Sequence, residues 1–265
     1  MKIRCAATLA ALALAPAAFA QVGSGGTITD GLTSYHLNDY TGNGTGSGAT
    51  SNFSVGGSGN PDHMFANWWW YRVDGEQRET AFSNASDWSY AGNYARLDFE
   101  SDRFDATMTY TVLGIDDAFG MLTQALSIRN TSNAPLTISL FNYTDLDAVG
   151  TAGGDSVDAI APNILHVTDA AEAGWDINYE GTTAFAVGGW PSLRSRLTNA
   201  IADDFTGTGL PFGPGDMEGG FEWTVTIDPG YAFTASSTVT IVPAPGAAAL
   251  GGLSLLSLAR RRRSN

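Results

Sequence analysis

Four aspartates crowd one short stretch of the chain. Asp145, Asp147, Asp155 and Asp158 surround Gly150, Gly153 and Gly154, directly after a strongly patterned apolar segment. Carboxylates gathered on a glycine-rich loop suit a hard cation that takes six to eight oxygen ligands, so Ca2+ is the cofactor they would hold. The spacing matches neither the EF-hand loop nor the glycine-rich nonapeptide repeat, and a solvated acidic loop has the same composition. A second cluster is aromatic. Trp68, Trp69, Trp70 and Tyr71 run consecutively, with Trp88, Tyr90 and Tyr94 not far behind. Aromatic faces stack on sugar rings, so an exposed pair from this run would bind glycan. In a strand, however, Trp68 and Trp70 face one side and Trp69 and Tyr71 the other, so at least one pair belongs to a core.

Other catalytic patterns are missing. His36, His63 and His166 are scattered, and no Gly-x-Ser-x-Gly elbow is present. The acidic pairs Asp116/Asp117 and Asp203/Asp204 are neighbours in sequence. Glycoside hydrolysis needs two carboxyls about 5 to 9.5 Å apart across a cleft, which adjacency does not establish. The single cysteine, Cys5, lies near the N-terminus, so the body of the chain has no disulfide, thiol nucleophile or cysteine metal site.

The elements that would position these residues read as β-strands. Phe104, Ala106, Met108, Tyr110 and Val112 alternate with Asp105, Thr107, Thr109 and Thr111. A period of two buries one face and wets the other. Leu122, Leu126 and Ile128 repeat the pattern. Leu136, Ile138 and Leu140 resume it after Asn130-Thr131-Ser132-Asn133-Ala134-Pro135, so Met121–Tyr143 reads as a β-hairpin. Phe221, Trp223, Val225 and Ile227 form another strand, then Asp228-Pro229-Gly230 turns the chain into a last strand through Phe233 and Ile241. Leu193, Leu197 and Ile201, spaced by four after Pro191-Ser192, predict the one short helix. Ten or more strands with one apolar face must pack face to face. The predicted fold is all-β, an antiparallel two-sheet sandwich of jelly-roll or large-sandwich type.

Both ends read as address segments. Lys2 and Arg4 precede an apolar run, Ala6–Ala15, and Ala18-Phe19-Ala20 places small residues at a signal-peptidase site. At the other end come Val242-Pro243-Ala244-Pro245, a 14-residue apolar stretch over 246–259, and Arg260, Arg261, Arg262 and Arg263. As a helix at ~1.5 Å per residue that stretch reaches about 21 Å, short of a ~30 Å hydrocarbon core. A short helix stopped by arginines held on the cytoplasmic side is a transient tether. This end resembles the PEP-CTERM sorting signal of bacterial exported proteins, with Ala244 where the commonest form has Glu. The resemblance implies an exosortase-type membrane protease as partner, and a destination at the cell surface or in the extracellular matrix. It covers only this end of the chain.

The resulting organisation is a signal peptide at 1–20, a Gly/Ser/Thr-rich mobile arm with a possible edge strand at 21–60, a sandwich at 61–242 and a sorting signal at 243–265. Between the two ends, residues 21–242 carry 7 Arg, no Lys and 27 acidic residues, a balance of −20. Such a surface repels phosphate backbones and anionic lipid heads, which excludes nucleic acid as a partner. With no catalytic constellation in view, the expectation is a non-enzymatic exported protein with a structural or adhesive role, in contact with extracellular polysaccharide. The alternative is a carbohydrate-binding or carbohydrate-processing sandwich.

Overall fold

The computed structural model describes residues 25–244, apart from 42, 43, 47, 58 and 170–173. Ala18 and Ala20 of the expected signal peptide, and Pro245 and Arg260–Arg263 of the expected sorting signal, lie outside the described residues. In chain order the strands are β1 Gly26–Asp30, β2 Thr33–Leu37, β3 Ser51–Ser54, β4 Met64–Val73, β5 Thr80–Ala81, β6 Asp87–Ala91 and β7 Tyr94–Glu100. They continue as β8 Phe104–Asp116, β9 Phe119–Asn130, β10 Leu136–Leu146, β11 Asp155–Ala161, β12 Ile164–Asp169 and β13 Trp175–Glu180. After β14 Phe185–Gly189 comes the helix α1 Ser192–Thr198, then β15 Phe212–Gly215, β16 Met217–Ile227 and β17 Ala232–Pro243. The fold is almost entirely β, as the alternation of apolar and polar residues predicts.

Two antiparallel sheets form the body. One has five strands in the order β14-β16-β10-β4-β5. The other has nine, in the order β15-β11-β12-β13-β17-β9-β8-β7-β6. Their inner faces meet through buried residues such as Trp69, Leu140 and Phe221 on the first and Leu126, Tyr179 and Val239 on the second. A polar knot sits in this interface. The Asn142 carboxamide oxygen on β10 accepts hydrogen bonds from Tyr179 Oη on β13 (2.6 Å), Ser237 Oγ on β17 (2.7 Å) and Gln124 Nε2 on β9 (3.2 Å). One side chain of the smaller sheet is thereby tied to three strands of the larger.

Three expectations are corrected here. The segment Met121–Tyr143 is not a hairpin: β9 pairs with β8 and β17, whereas β10 pairs with β4 and β16. The turn at 131–135 is an arch from one sheet to the other, and the Asp228-Pro229-Gly230 turn leads back. Asn130 stitches the two arches together. Its side-chain amide donates to the carbonyls of Ala134 and Ile227, both at 2.8 Å, and its own carbonyl accepts the Gly230 N–H at 2.9 Å. Turn chemistry sets the chain reversal, but burial on both sides decides which sheet each strand joins. Second, the region expected as a mobile arm holds a three-stranded sheet, β1-β2-β3. Ile28, Tyr35, Leu37 and Phe53 are buried there, and Tyr35 stacks on Tyr110 with ring centroids 5.3 Å apart. A few apolar residues in alternation outweigh the surrounding glycines because β8 offers them a partner. Third, β17 runs through Val242 and Pro243, which pair with Asp176 and Trp175, and the Ala244 N–H reaches the Gly174 carbonyl at 3.1 Å. Val242 and Pro243, the first residues of the expected sorting motif, therefore belong to an interior strand of the nine-stranded sheet.

The helix covers the outer face of the five-stranded sheet with Leu193 and Leu197. It stops at Thr198, so Ile201, the third residue of the predicted stripe, is 69% exposed. Glu218 on β16 anchors the helix: one carboxylate oxygen accepts the Leu193 N–H at 2.8 Å and the other accepts the Tyr143 hydroxyl at 2.6 Å.

Candidate functional site

Strand β10 carries the site at its C-terminal end. Phe141 and Tyr143 point to the outer face of the five-stranded sheet, and Asp145 follows on the same side by the period of two. The chain then leaves the sheet. Asp147 opens a turn, its carbonyl accepting the Gly150 N–H at 3.2 Å, while its own N–H bonds the His63 carbonyl at 3.1 Å. Gly150 has φ +78°, a left-handed conformation that glycine adopts without strain. A third carboxylate comes from far along the chain. Asp216 sits between β15 and β16, and its carbonyl accepts the Trp190 N–H at 2.9 Å. One oxygen from each of Asp145, Asp147 and Asp216 lies within 4.8 Å of the others.

These three carboxylates, with Phe65, Ala152 and Trp190, line a cavity of about 210 Å³. Phe65 reaches it through a register shift. Across from Asp145/Leu146, the β4 partners are Ala66 and Met64, so Phe65 is the extra residue of a β-bulge and its ring is turned outward. Phe65 and Trp190 are each 50% exposed. Two open aromatic rings thus flank three converging acids.

The electrostatics are one-sided. Asp145 is 2% exposed, and among the described residues no donor satisfies its carboxylate. Burial pushes its carboxyl up to about 8, helped by the charges of Asp147, Asp216 and Glu218; Arg194 is the one cation that opposes this. Burial, with Asp216 and Asp62 nearby, raises Asp147 to about 6. Asp155 accepts the Ala148 N–H at 3.1 Å with one oxygen, leaves the other without a partner, and is lifted by burial to about 7. Burial raises Asp216 as well. A carboxylate stripped of water and of donors is stabilised either by a proton or by a cation. The cluster could accordingly coordinate a divalent ion.

The sequence pointed to part of this. Asp145 and Asp147 meet in the cavity. Asp155 stands behind it, fully buried. Asp158 does not join them; it is exposed on β11. The aromatic run is core rather than an open platform: Trp68, Trp69 and Trp70 are at most 1% exposed. Half-buried Tyr71 packs against Phe82 and Phe104, with centroids at 4.8 and 5.1 Å. Both sides of β4 are covered, so the alternation that predicted one core pair buries both. The residues that sequence reasoning missed are Asp216, Trp190 and Phe65. Asp216 follows Gly213-Pro214-Gly215, and Trp190 lies between Gly188-Gly189 and Pro191. A lone acid and a lone aromatic in turn chemistry are the only local signals.

A larger groove of about 740 Å³ lies toward the other end of β10, around Arg72, Ser139, Asp204 and Glu222. Its charged and hydroxyl groups at the centre are largely partnered already. Arg72 is bonded to Glu79 and Asp204, Ser139 Oγ to Thr224 Oγ1 at 2.7 Å, and Glu222 to the Phe205 N–H at 2.6 Å. Satisfied groups have less to gain from a ligand, so the smaller pocket with its unsatisfied acids is the candidate site.

No protein-family profile matches the chain, and no curated protein does. Among solved structures, a galactose mutarotase-related enzyme from Lactobacillus acidophilus is similar with a TM-score of 0.49 and 9% identity, over 82% of this chain and 97% of that one. A polysaccharide lyase is similar with a TM-score of 0.47 and 8% identity, over 81% of this chain; the match spans 33% of the lyase's length. The expectation of a chain without a catalytic constellation, and with it the non-enzymatic structural or adhesive role, is corrected. Asp145, Asp147 and Asp216 form an acidic triad that sequence spacing did not reveal and that could hold a divalent ion.

Proposed function

We propose that the chain is a carbohydrate-binding or carbohydrate-processing β-sandwich protein whose working centre is the pocket of Asp145, Asp147 and Asp216, with Ca2+ as its cation. The observation that carries this reading is Asp145, a buried carboxylate with no donor among the described residues, facing a cavity flanked by two exposed aromatic rings. Sugars have the two properties such a site matches: an apolar ring face that stacks on indole, and hydroxyls that donate to carboxylates or coordinate a hard cation. A cation held there would also act as a Lewis acid on a glycosidic or ring oxygen. The test is a panel of soluble polysaccharides scored for binding and for new reducing ends. W190A is expected to weaken binding at least tenfold, and D145N to abolish turnover while the fold persists. Unchanged behaviour of both variants sinks the reading.

The chain ends extend the proposal to where this chemistry takes place. We read them as export followed by exosortase-type sorting, which brings the pocket to extracellular polysaccharide. Intact mass of the protein recovered from its native host is expected to show a product starting at Gln21 and lacking Arg260–Arg263. Recovery of a membrane-bound product that keeps the four arginines makes the tail an anchor instead.

A further inference from the structure

The pocket offers a cation fewer ligands than it needs, and what it lacks defines the sugar. Three aspartate oxygens within 4.8 Å of one another fit around an ion with Ca–O distances of about 2.3 to 2.6 Å. Such an ion takes six to eight oxygens. The other side chains lining the cavity are Phe65, Ala152 and Trp190, none of which has an oxygen to give. Coordination positions not taken by these carboxylates or by backbone carbonyls open toward the cavity. At about 210 Å³ this space is below the ~300–1,000 Å³ of drug-sized ligand sites, so it suits one ring rather than several. Trp190 and Phe65 are exposed at its edge.

We propose that the ligand is a neutral sugar ring, bound through two adjacent hydroxyls to a cation on Asp145, Asp147 and Asp216, with its apolar face on Trp190. This rests on the carbohydrate reading above and specifies its ligand. Adjacent hydroxyls form a five-membered chelate and fill two open positions at once. Anionic sugars are disfavoured. Three carboxylates on one divalent ion leave a net negative centre, Asp62 and Asp155 add further negative charge beside Asp147, and the body carries a balance of −20.

Calorimetry on the protein stripped by chelator and then reloaded tests this. Ca2+ alone is expected to bind at one equivalent, and at least tenfold more weakly in D145N and D216N. Thermal melting of both variants checks that they fold. Methyl hexosides are then titrated as a deoxy series, each ring hydroxyl in turn replaced by hydrogen. Binding is expected only with Ca2+, to fall at least tenfold when either of two neighbouring hydroxyls is removed, and to fall likewise in W190A, which retains its Ca2+. A methyl hexuronide is expected to bind at least tenfold more weakly than its neutral counterpart. Hexoside binding that survives chelation and still depends on Trp190 overturns the cation bridge but leaves the carbohydrate reading standing. No hexoside or polysaccharide binding in either state overturns both.

Discussion

Acidifying the metal-free protein from pH 8.5 to 5.5 is expected to raise its melting temperature, and D145N is expected to remove most of that rise by being more stable than the parent at pH 8.5. The sign follows from linkage. Asp145 has its carboxyl pushed from 3.8 to about 8 in the folded protein. Between those values the folded state holds a proton that the unfolded chain has released, so stability falls as pH rises. The contribution is complete below about pH 4 and lost above about pH 8. Asp147, raised to about 6, and Asp155, raised to about 7, act in the same direction. Each tenfold change in proton affinity is worth ~1.36 kcal/mol, so Asp145 alone amounts to several kcal/mol. For a body of this size that is a melting shift on the order of 10 °C. Asn is isosteric and neutral, and its amide can donate to Asp147 or Asp216. Ca2+ at pH 8.5 is expected to raise the parent's melting temperature and to raise that of D145N less at the same concentration. A parent that melts highest at pH 8.5 without cation contradicts the description of Asp145 as buried and unpartnered.

The second large effect is expected at Asn142. Replacement by Leu keeps the volume and removes the acceptor shared by Tyr179, Ser237 and Gln124. The Tyr179 hydroxyl retains a contact to the backbone carbonyl of residue 142 at 3.2 Å, so it is the least affected. Ser237 and Gln124 are 2% and 0% exposed and would be left unsatisfied in the apolar layer. Each such loss costs about 1–3 kcal/mol, so N142L is expected to lose about 4 kcal/mol and roughly 10 °C in melting temperature. The contrast is S139A on the outer face, where Ser139 pairs with the exposed Thr224; it should stay within about 1 kcal/mol. Equal melting of N142L and the parent would show that the two sheets are held by apolar contact alone.

These two sites lie three residues apart on one strand, and their fates differ by face. Asn142 points between the sheets and finds four partners, Gln124, Tyr179, Ser237 and the Trp68 carbonyl. Asp145 points to the outer face of its sheet, with Arg194 of α1 as its one opposing charge, and among the described residues accepts no hydrogen bond. Nothing in the local sequence Phe141-Asn142-Tyr143-Thr144-Asp145 separates a structural amide from an unsatisfied acid.

The sequence by itself determined the fold class, because alternation over 104–112, 122–128, 136–140 and 221–227 is a local property of the chain that forces one buried face per strand. It also set the charge balance of −20 over residues 21–242, on which the expectation of no nucleic-acid partner rests and which does not depend on folding. It pointed to Asp145 and Asp147 because both stand beside one glycine-rich loop. Only the tertiary structure decided the rest. Sheet membership depends on which faces bury each other, so a turn that looks like a hairpin can be an arch. The run Trp68–Trp70 went into the core because both sides of β4 are covered. Asp216 and Trp190 joined the site from beyond residue 185, brought there by the pairing of β10 with β16 and of β16 with β14. Pairings of that separation are set by the summed burial of whole sheets, which no short stretch of sequence encodes.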